Sequence, residues 1–353
     1  MIPILRKIRD KFSHTKMQNG LMHNMIVNEL NHFTQMQNEL MHNMIVNELN
    51  HFTQMQNESI HDIVVNELNH FTQLQIEAIR NNNIRIGEII SKFVSAAIIN
   101  RETFRPFRNY CRGKKIVVCG AGETLNDYEP IPNAVHIALN RAFVFDKVEF
   151  DFVFAQDYEG IYMLKDKLRD YRKGKCIKLF GKLFRDEAML KTNFPESYIT
   201  ECEAKTFATD AFYPADLFSD HPFIAEMDSR AISCGTNVGM CAMQFALWMN
   251  PDEIYLVGCD QSGGHFTQEG LSKELKEKDL EHSEKIWEST LPRAREQWKQ
   301  LQTFAQIYYP DTKIISVNPV GLKGIFTDWN QRTGEIIENK VEPLTSILDS
   351  EMK

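Results

Sequence analysis

The chain has 353 residues, 43% of them hydrophobic and 25% charged, a balance that excludes an intrinsically disordered protein. A formal net charge of −8 argues against duplex nucleic acid as the main partner, because that needs a surplus of Lys and Arg. No run reaches the roughly 18 apolar residues of a membrane span, and seven scattered Cys without a C-x-x-C pair read as reduced thiols of a cytoplasmic protein, not a zinc or disulfide framework.

The charge is unevenly placed. Residues 1–16 carry five basic side chains and one Asp, whereas residues 17–73 carry five Glu, one Asp and no Lys or Arg. In the first segment Ile4, Leu5, Ile8 and Phe12 fall at helical spacing among Arg6, Lys7, Arg9 and Lys11. That pattern suits either an interfacial helix on an anionic membrane surface, peripheral to the inner face of a bacterial membrane, or an ordinary basic helix.

Residues 17–35, 36–54 and 55–73 are three copies of one 19-residue unit; the first two differ only at Gly20/Glu39. Near-identity means tandem duplication of one packing unit. With no Pro and apolar residues at helical spacing (Met17, Leu21, Met25, Leu30, Phe33), the copies predict a helix. Five core steps in 19 residues exceed 3.6 residues per step, which favours a straight or right-handed supercoil. Ile79, Ile86, Ile90, Phe93 and Ala97 continue at heptad-like spacing to about Asn100. A coiled-coil stalk over 17–100 that joins copies of the chain into a homo-oligomer is the expectation. Six of the eleven His lie in these copies and read as polar flanks duplicated with the repeat.

From Lys114 the pattern becomes α/β. KKIVVCGAGETL reads as a β-branched strand, a glycine turn and a helix start. HIALNRAF (136–143), FDFVFAQDY (150–158) and CIKLF (176–180) read as further strands. An irregular aromatic stretch, 193–230, reads as a lid, an acceptor loop or plain cover for the sheet. It is followed by SRAISCGTNVGMCAMQFALWM, a turn into an apolar helix, and by EIYLVGCD (253–260), a strand ending in Asp. The charged run 271–288 reads as solvated, 293–309 as a helix, and TKIISVNP (312–319) as the last strand. Strands alternating with helices predict a Rossmann-like parallel sheet over 101–330, with 331–353 as a tail. Ligands of such sheets sit at the carboxyl ends of the strands, which nominates Gly120, Gly122, Asn140, Gln156, Asp157, Asp260 and Asn318. A nicotinamide dehydrogenase is a poor fit, because Leu125 stands where the third fingerprint glycine belongs and Asn140 where a ribose-holding acid belongs.

The order GAGETL, LNRAF, FAQDY, SRAISCGTNVGMC and EIYLVGCD resembles the bacterial CMP-sialic-acid-dependent sialyltransferases that cap lipooligosaccharide. The resemblance covers about residues 114–327. It implies a metal-independent, inverting transferase without a cofactor. The donor would be a CMP-activated acid sugar (sialic acid, a related nonulosonate or Kdo), and the acceptor a surface glycan. It also implies that Gly120, Ala121, Gly122, Asn140, Gln156 and Asp157 approach the nucleotide, together with Ser233, Cys234, Gly235, Thr236 and Asp260. Arg230 matches the arginine of the family's R-x-x-S-G turn. The general base would be a His after the G-x-D strand, either His282 or His265; His282 fits the family spacing better and His265 lies nearer the strand end. Ala121 replaces the family's Asn, and the phosphate-holding tyrosines after G-x-D are replaced by Gln261-Ser-Gly-Gly. GCDQSGGHF also resembles the MptE-like pterin diphosphokinases, which implies ATP and magnesium instead. A non-catalytic oligomeric scaffold is the third reading.

Overall fold

The computed structural model describes residues 17–52, 58–156, 158–183, 193–210, 223–233, 237–261 and 293–339. The expectations for residues 1–16, Asp157, Cys234, Gly235, Thr236, His265 and His282 lie outside these. The chain divides into two compact units, Met1–Gly87 and Glu88–Lys353.

The repeats form helix, as their periodicity predicts: α1 is Met17–Phe52 and α2 is Glu58–Phe104. The copies repeat their local contacts as well as their sequence. Thr34 Oγ1 donates to Leu30 O at 2.7 Å, and its equivalent two copies later, Thr72 Oγ1, donates to Leu68 O at 2.7 Å. In the first unit Phe33, Met36, Leu40, Met44, Phe71 and Leu74 are exposed.

The second unit is built on one ten-stranded sheet. Its strands are β1 (Lys115–Cys119), β2 (Ala134–Leu139), β3 (Phe152–Ala155), β4 (Ile177–Leu183), β5 (Lys205–Asp210), β6 (Ile232–Ser233), β7 (Glu253–Val257), β8 (Lys313–Val317), β9 (Thr327–Trp329) and β10 (Ile336–Ile337). The spatial order is β10-β9-β8-β7-β1-β2-β3-β4-β5-β6. Every pairing is parallel except β9 with β10. The chain runs outward from β1 to β6, then returns to the other side of β1 as β7. The order therefore reverses between β1 and β7, the topological switch point at which open α/β sheets bind ligands.

Both faces of the sheet are covered, which explains the continuous apolar run of β1. Ile116 and Val118 join one core with Phe104, Phe245, Trp298 and Phe304, while Val117 and Cys119 join another with Tyr128, Phe143, Phe180 and Tyr198. The end of α2 is fixed by Asn100, which is fully buried. Its amide accepts from Ala208 N at 2.7 Å and donates to Ala208 O and Arg230 O at 3.1 and 2.6 Å. Every polar atom of that buried amide is thereby satisfied.

Three expectations are corrected. The segment after the glycine turn is not an α-helix but one short 3-10 stretch, Glu123–Asp127, cut off within a few residues by Pro130 and Pro132. The stretch 193–230 is not wholly irregular: it contains the short helix Glu196–Glu201 and the strand β5. The sheet also does not end at 312–319. The loop after β8 returns as β9, and β10 lies beyond residue 330, inside the expected tail.

Candidate functional site

Strand register sets the site. Cys119 pairs with Ala138 of β2 and with Val257 of β7, Leu139 pairs with Phe154, and Leu256 pairs with Ser316. Stepping one residue beyond the strands places Asn318, Gly258, Gly120 and Leu139 in one transverse row. Asn140 and Gln156 project just past it. The sheet thus brings together, at one carboxyl edge, residues up to 198 positions apart in sequence (Gly120 to Asn318).

At the centre of the row the backbone is packed without spare room. Gly120 N–H donates to Val257 O at 2.7 Å and Gly122 N–H to Gly258 O at 2.8 Å. A Cβ on Gly120 would stand 2.8 Å from the Gly258 carbonyl carbon, and one on Gly122 would stand 2.7 Å from Gly258 O. The glycines therefore serve the approach of the β1 turn to the β7 turn. Their N–H groups are already engaged, so they are not the donors that a phosphate would meet. The intervening Ala121 makes no backbone hydrogen bond among the described residues.

Asp260 completes this centre. It is 5% exposed; its carboxylate accepts from Thr124 N–H at 2.8 Å and from the Thr124 hydroxyl. Burial raises its pKa above the ordinary carboxylate value. The two Thr124 bonds oppose that shift, and the nearby Glu123 and Asp127 charges add to it. Its backbone carbonyl accepts from Gly321 N–H at 2.9 Å, tying in the loop after β8. Cys259 is pushed up to about 12 by burial and by the Asp260 charge. It is therefore a neutral thiol and no nucleophile at physiological pH.

Around this centre the polar groups are of a different kind. Asn140 Oδ1, Gln156 Nε2, Asn237 Nδ2, Gln261 Oε1 and Asn318 Nδ2 are buried, with no hydrogen-bond partner among the described residues. Each such orphan costs about 1–3 kcal/mol, and native proteins keep few of them. Three of these residues also hold left-handed backbone: Asn140 at φ 47°, Gln261 at φ 52° and Asn318 at φ 47°. Strain of this kind gathers where a loop must aim side chains at a ligand. Asn237 is the residue before α3 (Val238–Trp248), yet its side chain does not cap the helix. The helix itself is buried along its whole length, and Gly239 in its first turn lies against Leu139 of β2, where a Cβ would be 3.5 Å from Leu139 Cδ1.

Ser233 is buried at the end of β6. Its carbonyl accepts from Gln244 Nε2 at 2.8 Å and from Cys241 Sγ at 3.7 Å, and the same thiol lies 3.8 Å from Gln156 Oε1. The first turns of α3 thus link Ser233 to Gln156. Arg230 sits elsewhere: it precedes β6 at the far edge of the sheet, five places from β1, with its carbonyl bound by Asn100. His136 is the histidine of the second unit among the described residues. It is held by Tyr128 and Ala134 inside the sheet, and burial lowers its pKa; it lies in the body of β2, short of the carboxyl edge, and offers no base there. Thr124 and Asn237 join the site without having been singled out in the sequence, and so does Gln261, named there only as a departure after G-x-D. The available signals were a hydroxyl two residues after Gly122, an Asn before an apolar helix, and an amide directly after a strand-end Asp.

No protein-family model matches the chain, and no curated protein matches it in sequence. Solved structures with some likeness include the sialyltransferase CstII from Campylobacter jejuni in complex with the substrate analogue CMP-3FNeuAc, at 14% identity and a TM-score of 0.35 over 68% of this chain and 99% of that one. They also include the sialyltransferase Cst-II in complex with a trisaccharide acceptor and CMP, at 12% identity and a TM-score of 0.35 over 68% and 99% of the two chains.

Proposed function

We propose that the chain is a glycosyltransferase that moves a CMP-activated acid sugar to a glycan acceptor. The observation that carries this reading is the set of five amide side chains, each with one buried atom unpartnered among the described residues, around a closed glycine–aspartate centre at the switch point of a parallel sheet. The set holds three donors and two acceptors, and none is charged. A pyrimidine edge and a ribose present the same mixture of neutral donors and acceptors, whereas a polyphosphate would call for cations. In this reading Asn140 and Gln156 meet the nucleotide, and the Ala121 N–H at the tip of the turn meets its single phosphate. Asp260 acts through Thr124 by holding the turn. His282 or His265 in the segment after β7 takes the proton of the acceptor hydroxyl. The acceptor oxygen then bonds to the anomeric carbon, and CMP leaves with the electron pair of the broken C–O bond.

A nucleotide panel followed by thermal unfolding tests this. CMP without metal is expected to raise Tm by roughly 5–10 °C at a hundredfold excess over Kd. A shift with ATP only in the presence of magnesium would move the reading to pyrophosphoryl transfer, and no shift with either would leave a scaffold.

A further inference from the structure

We propose that a cleft beside the glycine turn, which shares Asn318 with the amide set, is a subsite for a neutral sugar residue. It has a volume of about 290 Å³. Its walls are Thr124 and Asp127 after β1, Asn318 and Lys323 after β8, and Arg332 and Glu335 in the β9–β10 hairpin.

The walls are fixed to one another. The Gln331 side chain donates to Glu129 O at 2.9 Å and accepts from Glu129 N–H at 3.0 Å. Arg332 forms an ion pair with Asp127. Asn318 Oδ1 accepts from Gln331 N–H at 2.9 Å, and Asp328 accepts from Gly324 N–H at 3.0 Å. A hairpin from the end of the chain is thereby tied back, across β8 and β7, to the connection that leaves the glycine turn. Such a concave surface is preformed and loses little entropy on binding.

Its chemistry narrows the ligand. Hydroxyl, amide, carboxylate and cationic groups alternate, and Pro319 and Ile337 are its apolar members. A nucleobase or an acyl chain would find no apolar slot there. Asp127, Asp328 and Glu335 outnumber Lys323 and Arg332, which disfavours a phosphate or a dianion. Carboxylates that accept, and amides that both accept and donate, suit the paired hydroxyls of a sugar ring. The volume lies at the lower end of ligand pockets, roughly 300–1,000 Å³, and fits one residue, not an oligosaccharide. The choice of a sugar rests on the transferase reading, in which a glycan must lie near the donor. The position of the cleft does not rest on it.

Saturation-transfer NMR on the full chain tests the subsite, with galactose, glucose and N-acetylglucosamine as separate probes. The variants are Ile337→Trp, which fills the cleft from an exposed edge strand, and Lys323→Ala/Glu335→Ala, which removes two exposed polar walls. At least one sugar should give a signal that falls fivefold or more in both variants, while the CMP-induced Tm shift stays as in the parent. Absence of any sugar signal, a signal indifferent to both variants, or displacement of the sugar by CMP would overturn the subsite. If CMP gives no shift but the sugar signal and its loss persist, the donor reading falls and the cleft stands.

Discussion

The centre of the carboxyl edge and its surroundings are built on opposite terms. At the centre, Gly120, Gly122, Gly258, Thr124 and Asp260 satisfy one another so fully that an added methyl group does not fit. Around them Asn140, Gln156, Asn237, Gln261 and Asn318 keep buried polar atoms without partners among the described residues, three of them on left-handed backbone. Two groups of residues with the same polar look in the sequence therefore differ in role. The closed group holds the two turns together, and the open group is the one to which the proposed nucleotide would supply partners.

The contrast can be broken, most severely at the centre. Gly120→Ala drives a Cβ into the Gly258 backbone, which cannot yield as a flexible side chain could. A loss of about 3 kcal/mol or more is expected, read as a lower urea midpoint at an unchanged slope. If the variant instead unfolds like the parent but no longer responds to CMP, the glycine serves the ligand and the division fails.

Asp260→Ala should cost about 1–3 kcal/mol, because it strands the Thr124 N–H; Asp260→Asn, which keeps an acceptor, should cost far less. The pH dependence has a definite sign. The folded-state pKa of Asp260 is raised, so the folded state binds the proton more tightly than the unfolded chain. The stabilisation from this group is full below the ordinary value of 3.8 and is lost as pH rises through the raised value. Asp260→Asn should remove that slope, and a parent-like slope in the variant would assign it to another group.

The mildest effect on stability belongs to the open group. Gln156→Leu removes an orphaned donor, so stability should hold or rise by about 1 kcal/mol while the CMP-induced Tm shift shrinks. A clear loss of stability with an intact CMP response would place Gln156 with the closed group.

How far the sequence foretold this depends on the element. β1, β2, β3, β4, β7 and β8 were legible because each carries an apolar run bounded by polar or glycine signals. β5 was not, because KTFATD holds only two adjacent apolar residues, Phe207 and Ala208, between polar pairs, with no period-2 alternation, inside an aromatic stretch that reads as loop. β6, β9 and β10 span two or three residues each, too short for any periodicity. The candidate residues at strand ends follow from a rule about parallel sheets, and the register places Gly120, Asn140, Gln156, Asp260 and Asn318 at that edge. Their division into satisfied and unsatisfied groups was not legible. It depends on which carbonyl lies opposite each N–H, and only the register of β1 against β7 decides that.

The near-exact duplication in α1 has a geometric consequence of its own. Residues 17–33 and 36–52 are equivalent positions of two copies on one helix. Nineteen residues advance a regular α-helix by about 28 Å and turn it by about 100°. A copied residue therefore reappears on a different side of the rod, not further along one stripe. Each duplication sets an identical apolar face in a new direction, as the steps of a spiral stair do. Gain or loss of a copy then changes how many such faces the helix presents more than it lengthens any single one.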